Sequence, residues 1–195
     1  FNTLNQRKII YCVLRNYDSL PYDLKGSDID LFVQKSDFEI LHDILENCTK
    51  KFGGKIISKL FAPAVMDVSI SGYHNGKWWG VRFDTFTYVG TNDFAIFSNE
   101  HIIDRIKYHN DIKVVSKNDA FVIGFIKEII GAKKYSERYA KGALHAYNEE
   151  QETYNKAFCE TLPPDIVKNY LIPVINDKMF FSKKTCEVIY NGYNK

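Results

Sequence analysis

The sequence predicts an α/β (α+β) chain: a small mixed β-sheet flanked by helices over residues 1–98, followed by a mainly helical half over 99–195. Three observations predict it. Short β-branched and aromatic runs alternate with turn formers as far as residue 98. One amphipathic helical segment interrupts them. Beyond residue 99 the apolar residues recur at helical spacing instead. The 195 residues suffice for a sizeable core, and a hydrophobic fraction of 45% argues against a disordered chain.

Taken in order, residues 8–14 (Lys-Ile-Ile-Tyr-Cys-Val-Leu) form an apolar run suited to a buried strand. Turn formers from Arg15 to Pro21 break it. Gly26-Ser27-Asp28-Ile29-Asp30-Leu31-Phe32-Val33 then gives a short strand with two aspartates at its entrance. Ser36 and Glu39 have capping-box spacing, and Phe38, Leu41, Ile44, Leu45 and Cys48 follow on one helical face. That helix should stop at Gly53-Gly54. Strand-like runs follow at 55–61, 65–71 and 78–89, with Gly72-Tyr73-His74-Asn75-Gly76 as the turn between the last two. Alternation through Val81-Arg82-Phe83-Asp84-Thr85-Phe86 points Asp84 and Arg82 away from the side of Phe83. Ser116 and Asp119 read as a cap for a helix over 120–134, with Phe121, Phe125, Ile126, Ile129 and Ile130 as its apolar stripe. Residues 136–159 read as a long polar helix ended by Pro163-Pro164, and 165–195 as further helix.

Charge is nearly balanced, 26 Lys+Arg against 24 Asp+Glu, which argues against a dedicated nucleic-acid binder. The apolar runs fall well short of the roughly 20 residues that span a bilayer, and no charged-then-apolar signal segment opens the chain. Cys12, Cys48, Cys159 and Cys186 are widely separated, without metal-ligand spacing to one another or to histidine. Cys12 and Cys48 fit small buried hydrophobes. A reduced, cytoplasmic domain is expected, and a first residue of Phe rather than Met suggests a piece of a longer chain.

Asp28 and Asp30 stand two apart on a predicted strand, so both face the same way. Two carboxylates on a buried strand are costly, through desolvation and mutual repulsion. A divalent cation, Mg²⁺ or Mn²⁺, removes that cost because it takes oxygen ligands and offsets both charges. A third carboxylate on a neighbouring strand would complete a site for two metals about 4 Å apart, suited to phosphoryl-type displacement. Asp84 is the preferred third ligand because its flanks read as a long central strand; Asp67 competes. Asp-x-Asp also occurs on ordinary surface strands. Here Gly26-Ser27 before it and Leu31-Phe32-Val33 after it place the pair at the mouth of a buried strand.

Residues 26–33 resemble the central signature of the DNA polymerase beta-like nucleotidyltransferase-fold superfamily. There a strand, a Gly/Ser phosphate loop and Asp-hydrophobic-Asp on the next strand precede a third Asp. The strand 9–14, the loop 15–25, Asp28 and Asp30, the helix 36–52 and Asp84 follow that order, so the resemblance covers roughly residues 8–90. It implies a nucleotidyltransferase core and an Mg²⁺- or Mn²⁺-dependent transfer of a nucleotidyl group, with Asp28, Asp30 and Asp84 as metal ligands and Asp84 as proton acceptor. Arg15, Ser19, Ser27 and Lys127 would contact the nucleotide, with Lys133, Lys134 and Arg138 as further candidates on the following helices. One departure concerns the first loop, where the family's Gly-Gly or Gly-Ser is replaced by Arg15-Asn16-Tyr17-Asp18-Ser19-Leu20-Pro21. Glycines there let backbone amides approach a triphosphate; Ser19 and Arg15 keep side-chain donors instead. The Leu-Arg-x-Tyr-x-Ser-Leu-Pro wording resembles a divergent branch associated with bacterial cell-surface polysaccharide genes, which implies a small-molecule or glycan acceptor.

Rival readings keep the fold and change the chemistry: a phosphotransferase using a nucleotide-activated, cytidine-type donor, a non-catalytic module, or a toxin that nucleotidylates a protein or transfer RNA. Tyr73, Trp78 and Trp79 suit stacking on a base or sugar ring, or plain packing. The five histidines show no triad spacing with a nucleophile, and no Walker or dinucleotide-binding loop is present.

Overall fold

In the computed structural model, residues 1–26, 28–91, 94–128, 144–145, 147–177 and 183–193 are described. In chain order they form α1 (Asn2–Gln6), β1 (Tyr11–Val13), β2 (Ile29–Val33), α2 (Phe38–Lys51), β3 (Gly54–Ala62), β4 (Val65–His74), β5 (Lys77–Phe86) and β6 (Val89–Thr91). There follow β7 (Phe94–Phe97), α3 (Asn99–Asp104), β8 (Lys107–His109), β9 (Ile112–Val114) and α4 (Lys117–Lys127), then further helix over Gln151–Thr161, Pro164–Ile166, Val167–Leu171, Ile172–Asn176 and Lys183–Tyr193. Contacts gather these into two units, Phe1–Val89 with Ser98–Ser116, and Gly90–Phe97 with Lys117–Lys195.

The first unit is built on a seven-stranded sheet in the order β3-β4-β5-β2-β1-β9-β8. It is mixed: β1 is antiparallel to β2 and parallel to β9, β2 is parallel to β5, and the remaining pairs are antiparallel. Every residue of β1 and β2 is buried, which explains their continuous apolar runs; Asp30 is the exception in character. β4 alternates instead. Met66, Val68 and Ile70 are buried, while Asp67, Ser69 and Ser71 are half-exposed. Leu4 of α1, Leu41, Ile44 and Leu45 of α2, and Leu31, Ile70, Val81 and Phe83 of the sheet line one apolar cavity of about 190 Å³. One face of the sheet therefore belongs to the helices.

Several local signals act as expected. Helix α2 ends before Gly53, whose φ of 67° is the left-handed conformation glycine favours. Asn75 and Gly76, both with positive φ, turn β4 into β5, while Gly72, Tyr73 and His74, expected in that turn, extend β4 instead. The Ser36–Glu39 box does not form. A 3₁₀ turn, Lys35–Asp37, precedes α2, and Asp37 at its N-cap accepts from the Ile10 backbone N–H at 2.9 Å, tying the helix start to the chain entering β1.

Two stretches differ from the sequence reading. Residues 107–114 are a strand hairpin rather than helix, turned by Asn110 and Asp111, both at positive φ. Three-residue strands are too short to show a period, and β9 exists because β1 offers it an edge. The run expected to reach residue 89 breaks after Phe86, and Val89–Thr91 pairs with β7 in a separate two-stranded sheet.

In the second unit the stripe of α4 packs as expected. Phe125 and Phe158 are fully buried with ring centroids 5.1 Å apart, and Phe121 lies 4.4 Å from Tyr154. Ile129 and Ile130 lie outside the described residues. The polar helix expected over 136–159 is described only in part; Gln151–Thr161 is helical, and Glu150 before it departs from helical angles. Among the described residues no helix is long and apolar enough to cross a membrane. The four cysteines form no disulfide; Cys12 and Cys186 are buried, Cys48 half-buried and Cys159 exposed.

Gly54 and Gly72 face each other across β3 and β4, and Gly72 faces Trp79 across β4 and β5. A Cβ on either glycine would come within 2.7 Å of the indole. The two glycines form the slot in which Trp79 sits. Gly72→Ala is expected to lower stability by about 1–3 kcal/mol through overpacking. Gly80→Ala, whose Cβ would meet only the Ile70 carbonyl at 3.4 Å, should be neutral or slightly stabilising. Urea midpoints compare them, and equal midpoints would remove the slot.

Candidate active site

Strand register assembles the site. Asp30 on β2 pairs with Asp84 on β5, and Asp84 pairs with Asp67 on β4. Directly opposed residues have Cβ atoms about 4.5–5.5 Å apart, so three carboxylates form a row across three adjacent strands. The row lies on the face opposite Leu31, Val81 and Phe83, hence opposite the apolar cavity. Asp28 precedes β2 at the mouth of the row and is exposed. Asp84 and Asp67, which the sequence reading set against each other, are thus neighbours.

Two guanidiniums interleave with these charges. Arg15, just past β1, donates from Nε to Asp30 Oδ2 at 2.6 Å; Asp30 is buried and Arg15 partly so. Arg82 lies on β5 two residues before Asp84. Its Nη2 donates to Asp67 Oδ2 at 2.6 Å, its Nε is 3.0 Å from Asp84 Oδ1, and its Nη1 is 3.8 Å from Asp28 Oδ2. These contacts raise the Arg82 pKa further, the bond to Asp67 first. Burial, before any charge effect, raises the Asp84 pKa; Arg82 opposes the rise, and Asp30, Asp67 and Asp28 add to it. Asp84 Oδ1 is buried and, although at ion-pair distance from Arg82, accepts no hydrogen bond among the described residues because the N–H is not directed at it. An all-oxygen donor set with one unsatisfied buried oxygen fits a hard divalent cation.

The other expected residues divide. Arg15 joins the row. Ser19 lies in the turn after β1, where its backbone carbonyl accepts from Tyr22 and Asp23; its hydroxyl makes no hydrogen bond among the described residues. Ser27, Lys133, Lys134 and Arg138 lie outside the described residues. Lys127 is the last residue of α4, in the second unit. Arg82 was not read as a site residue, although its alternation with Asp84 was visible in sequence. A second group also went unread: His42, Asp43 and Glu46 of α2 bring one ligand atom each within 4.8 Å of one another. The His-x-x-x-Glu spacing on a helix was its signal, but Asp43 is exposed and such groups are common on surfaces.

No protein-family model, curated protein or solved structure matches the chain.

Two predictions follow from the charges. Folding takes up a proton at Asp84 between the ordinary carboxylate pKa and the raised one, so stability falls as pH rises through that window. Asp84→Asn should stabilise by about 0.5–2 kcal/mol at pH 7, since the half-exposed Arg82 contact is worth little, and the gain should vanish below about pH 4. Urea midpoints against pH test this; a gain that grows in acid would contradict the sign. Relief of repulsion alone would favour a substitution at either Asp30 or Asp28, but the geometry separates them. Asp30→Asn removes the charged acceptor of Arg15 Nε and should cost about 1.5–3 kcal/mol. The exposed Asp28→Asn should change stability by less than about 0.5 kcal/mol. Equal unfolding midpoints for the two would discount the Arg15 pair.

Proposed function

We propose that the chain is a divalent-metal-dependent transferase of the nucleotidyltransferase type, moving a nucleotidyl group from a nucleoside triphosphate to a hydroxyl of a sugar- or polysaccharide-related acceptor. One observation carries this reading. Asp30, Asp84 and Asp67 stand side by side on adjacent strands, with Asp28 at the end of the row. Packing has no use for that arrangement, because each carboxylate raises the cost of ionising its neighbours.

Asp28, Asp30 and Asp84 would hold the cation. Mg²⁺ or Mn²⁺, when bound, supplies positive charge to phosphate oxygens and lowers the pKa of the acceptor hydroxyl. Asp84 is suited to take that hydroxyl's proton, since burial already moves its carboxyl upward, toward a general base useful near neutral pH. Arg15, anchored on Asp30, would bring its positive charge to the non-transferred phosphates. With the loop glycines absent, side-chain donors carry that duty in place of backbone amides.

Calorimetric titration of the four common nucleoside triphosphates and CDP-choline, with Mg²⁺, tests the reading. Metal-dependent binding of a triphosphate is expected, weakened by at least about 10–100-fold in Asp28→Asn. Asp84→Asn should lower transfer by about 10²–10⁴-fold. Binding of CDP-choline alone would move the assignment to phosphotransfer from an activated donor, and silence from all five ligands would leave a non-catalytic module.

A further inference from the structure

The β4–β5 hairpin carries more than the carboxylates. Along β4 the residues on their face are Asp67, Ser69, Ser71 and Tyr73; along β5 they are Asp84, Arg82, Gly80 and Trp78, each opposite its partner. The row of opposed pairs ends in Tyr73 and Trp78, whose rings meet edge to face at 5.3 Å between centroids. Both are exposed, Trp78 by 78% and Tyr73 by 54%. The adjacent Trp79 points the other way, into its glycine slot, so packing accounts for one tryptophan and not for the other. Between the aromatic pair and Arg82 the face carries small groups, Ser71 opposite Gly80, and a trough of about 390 Å³ opens along Leu24, Gly26, Asp28, Ser69, Gly80 and Arg82.

We infer that this face is an acceptor track, with Tyr73 and Trp78 as its distal platform, and that its ligand is an extended, uncharged, hydroxyl-rich chain of rings, an oligosaccharide. Length argues for an extended ligand. At about 3.3 Å per residue, Trp78 lies about 13 Å from Arg82 and about 20 Å from Asp84. A base joined through one ribose to a phosphate at the carboxylates falls short of that. Charge argues for a neutral ligand. Among the described residues the track runs into four carboxylates against two guanidiniums, which in the absence of metal repels a polyanion, whereas single-stranded nucleic acid needs aromatic platforms set in a basic groove. The rings offer broad contact surface to the C–H face of a sugar; Ser69 offers a hydroxyl to its rim, and Ser71, whose hydroxyl donates to the Trp79 carbonyl at 3.0 Å, offers an acceptor oxygen. The inference rests on the transferase reading only for which end of the ligand reacts.

Calorimetry on the full chain with maltoheptaose, cellohexaose and chitohexaose, and with glucose and oligothymidylate as contrasts, tests it without metal or nucleotide. At least one oligosaccharide is expected to bind, with glucose weaker. Trp78→Ala or Tyr73→Ala should weaken that binding about tenfold or more. Gly80→Leu, which fills the trough where a Cβ has room, should do the same, with urea midpoints confirming that each variant is folded. No oligosaccharide binding, equal binding in the folded Trp78→Ala variant, or oligothymidylate binding in place of the sugars would overturn the inference. Sugar binding with no nucleotide binding would retain the track and sink the transferase. Nucleotide binding with no sugar binding would sink the track alone.

Discussion

Carboxylates set side by side on a sheet repel one another, and the first unit is arranged around containing that repulsion. Asp30 sits on a fully buried strand, where an unpaired charge is prohibitive; Arg15, emerging from the neighbouring strand, supplies the compensating charge at 2.6 Å. Asp67 and Asp84 share the guanidinium of Arg82, which also approaches Asp28. Among the described residues two guanidiniums face four carboxylates; burial first, and then the neighbouring carboxylates, raise the Asp84 pKa, and its Oδ1 accepts no hydrogen bond from these residues. An all-oxygen row of that sign is a donor set that suits a hard divalent cation.

Strand parity divides the labour. On β5, Trp79, Val81 and Phe83 turn toward the helices and line the apolar cavity, while Trp78, Gly80, Arg82 and Asp84 turn to the other face. A one-residue slip between β4 and β5 would bury the charges and expose the core. Register is held at the turn end of the hairpin, by the Asn75-Gly76 turn, whose backbone angles suit a two-residue hairpin, and by Trp79 packed over Gly54 and Gly72. The packing of one face therefore sets the spacing of functional groups on the other.

Much of this was legible in sequence because it follows from local period. The alternation around Asp84, the all-buried character of the segments around residues 12 and 31, the helix ending at Gly53 and the turn at Asn75-Gly76 each need only neighbouring residues to specify them. The hairpin over 107–114 was not legible, since each strand is three residues long and the pair joins the sheet through β9 alone, at the edge of β1. The capping box failed for a related reason: Asp37 met a backbone N–H from residue 10, a partner distant in sequence. His42, Asp43 and Glu46 are legible in principle, as an i, i+4 helical pair with an intervening acid, but that pattern is as common on solvated helix faces as at metal sites.

By itself the sequence determined that Asp28 and Asp30 open a buried strand, that Arg82 and Asp84 share a face, and that a helix lies between them in the chain. Side-chain period is a property of the backbone and needs no partner. Only the tertiary structure decided that Asp84 lies opposite both Asp30 and Asp67, that Arg82 serves three carboxylates at once, and that Trp78 is exposed while Trp79 is slotted. Those outcomes depend on which strands become neighbours and in what register, and that choice is made by the pooled burial of residues far apart in the chain.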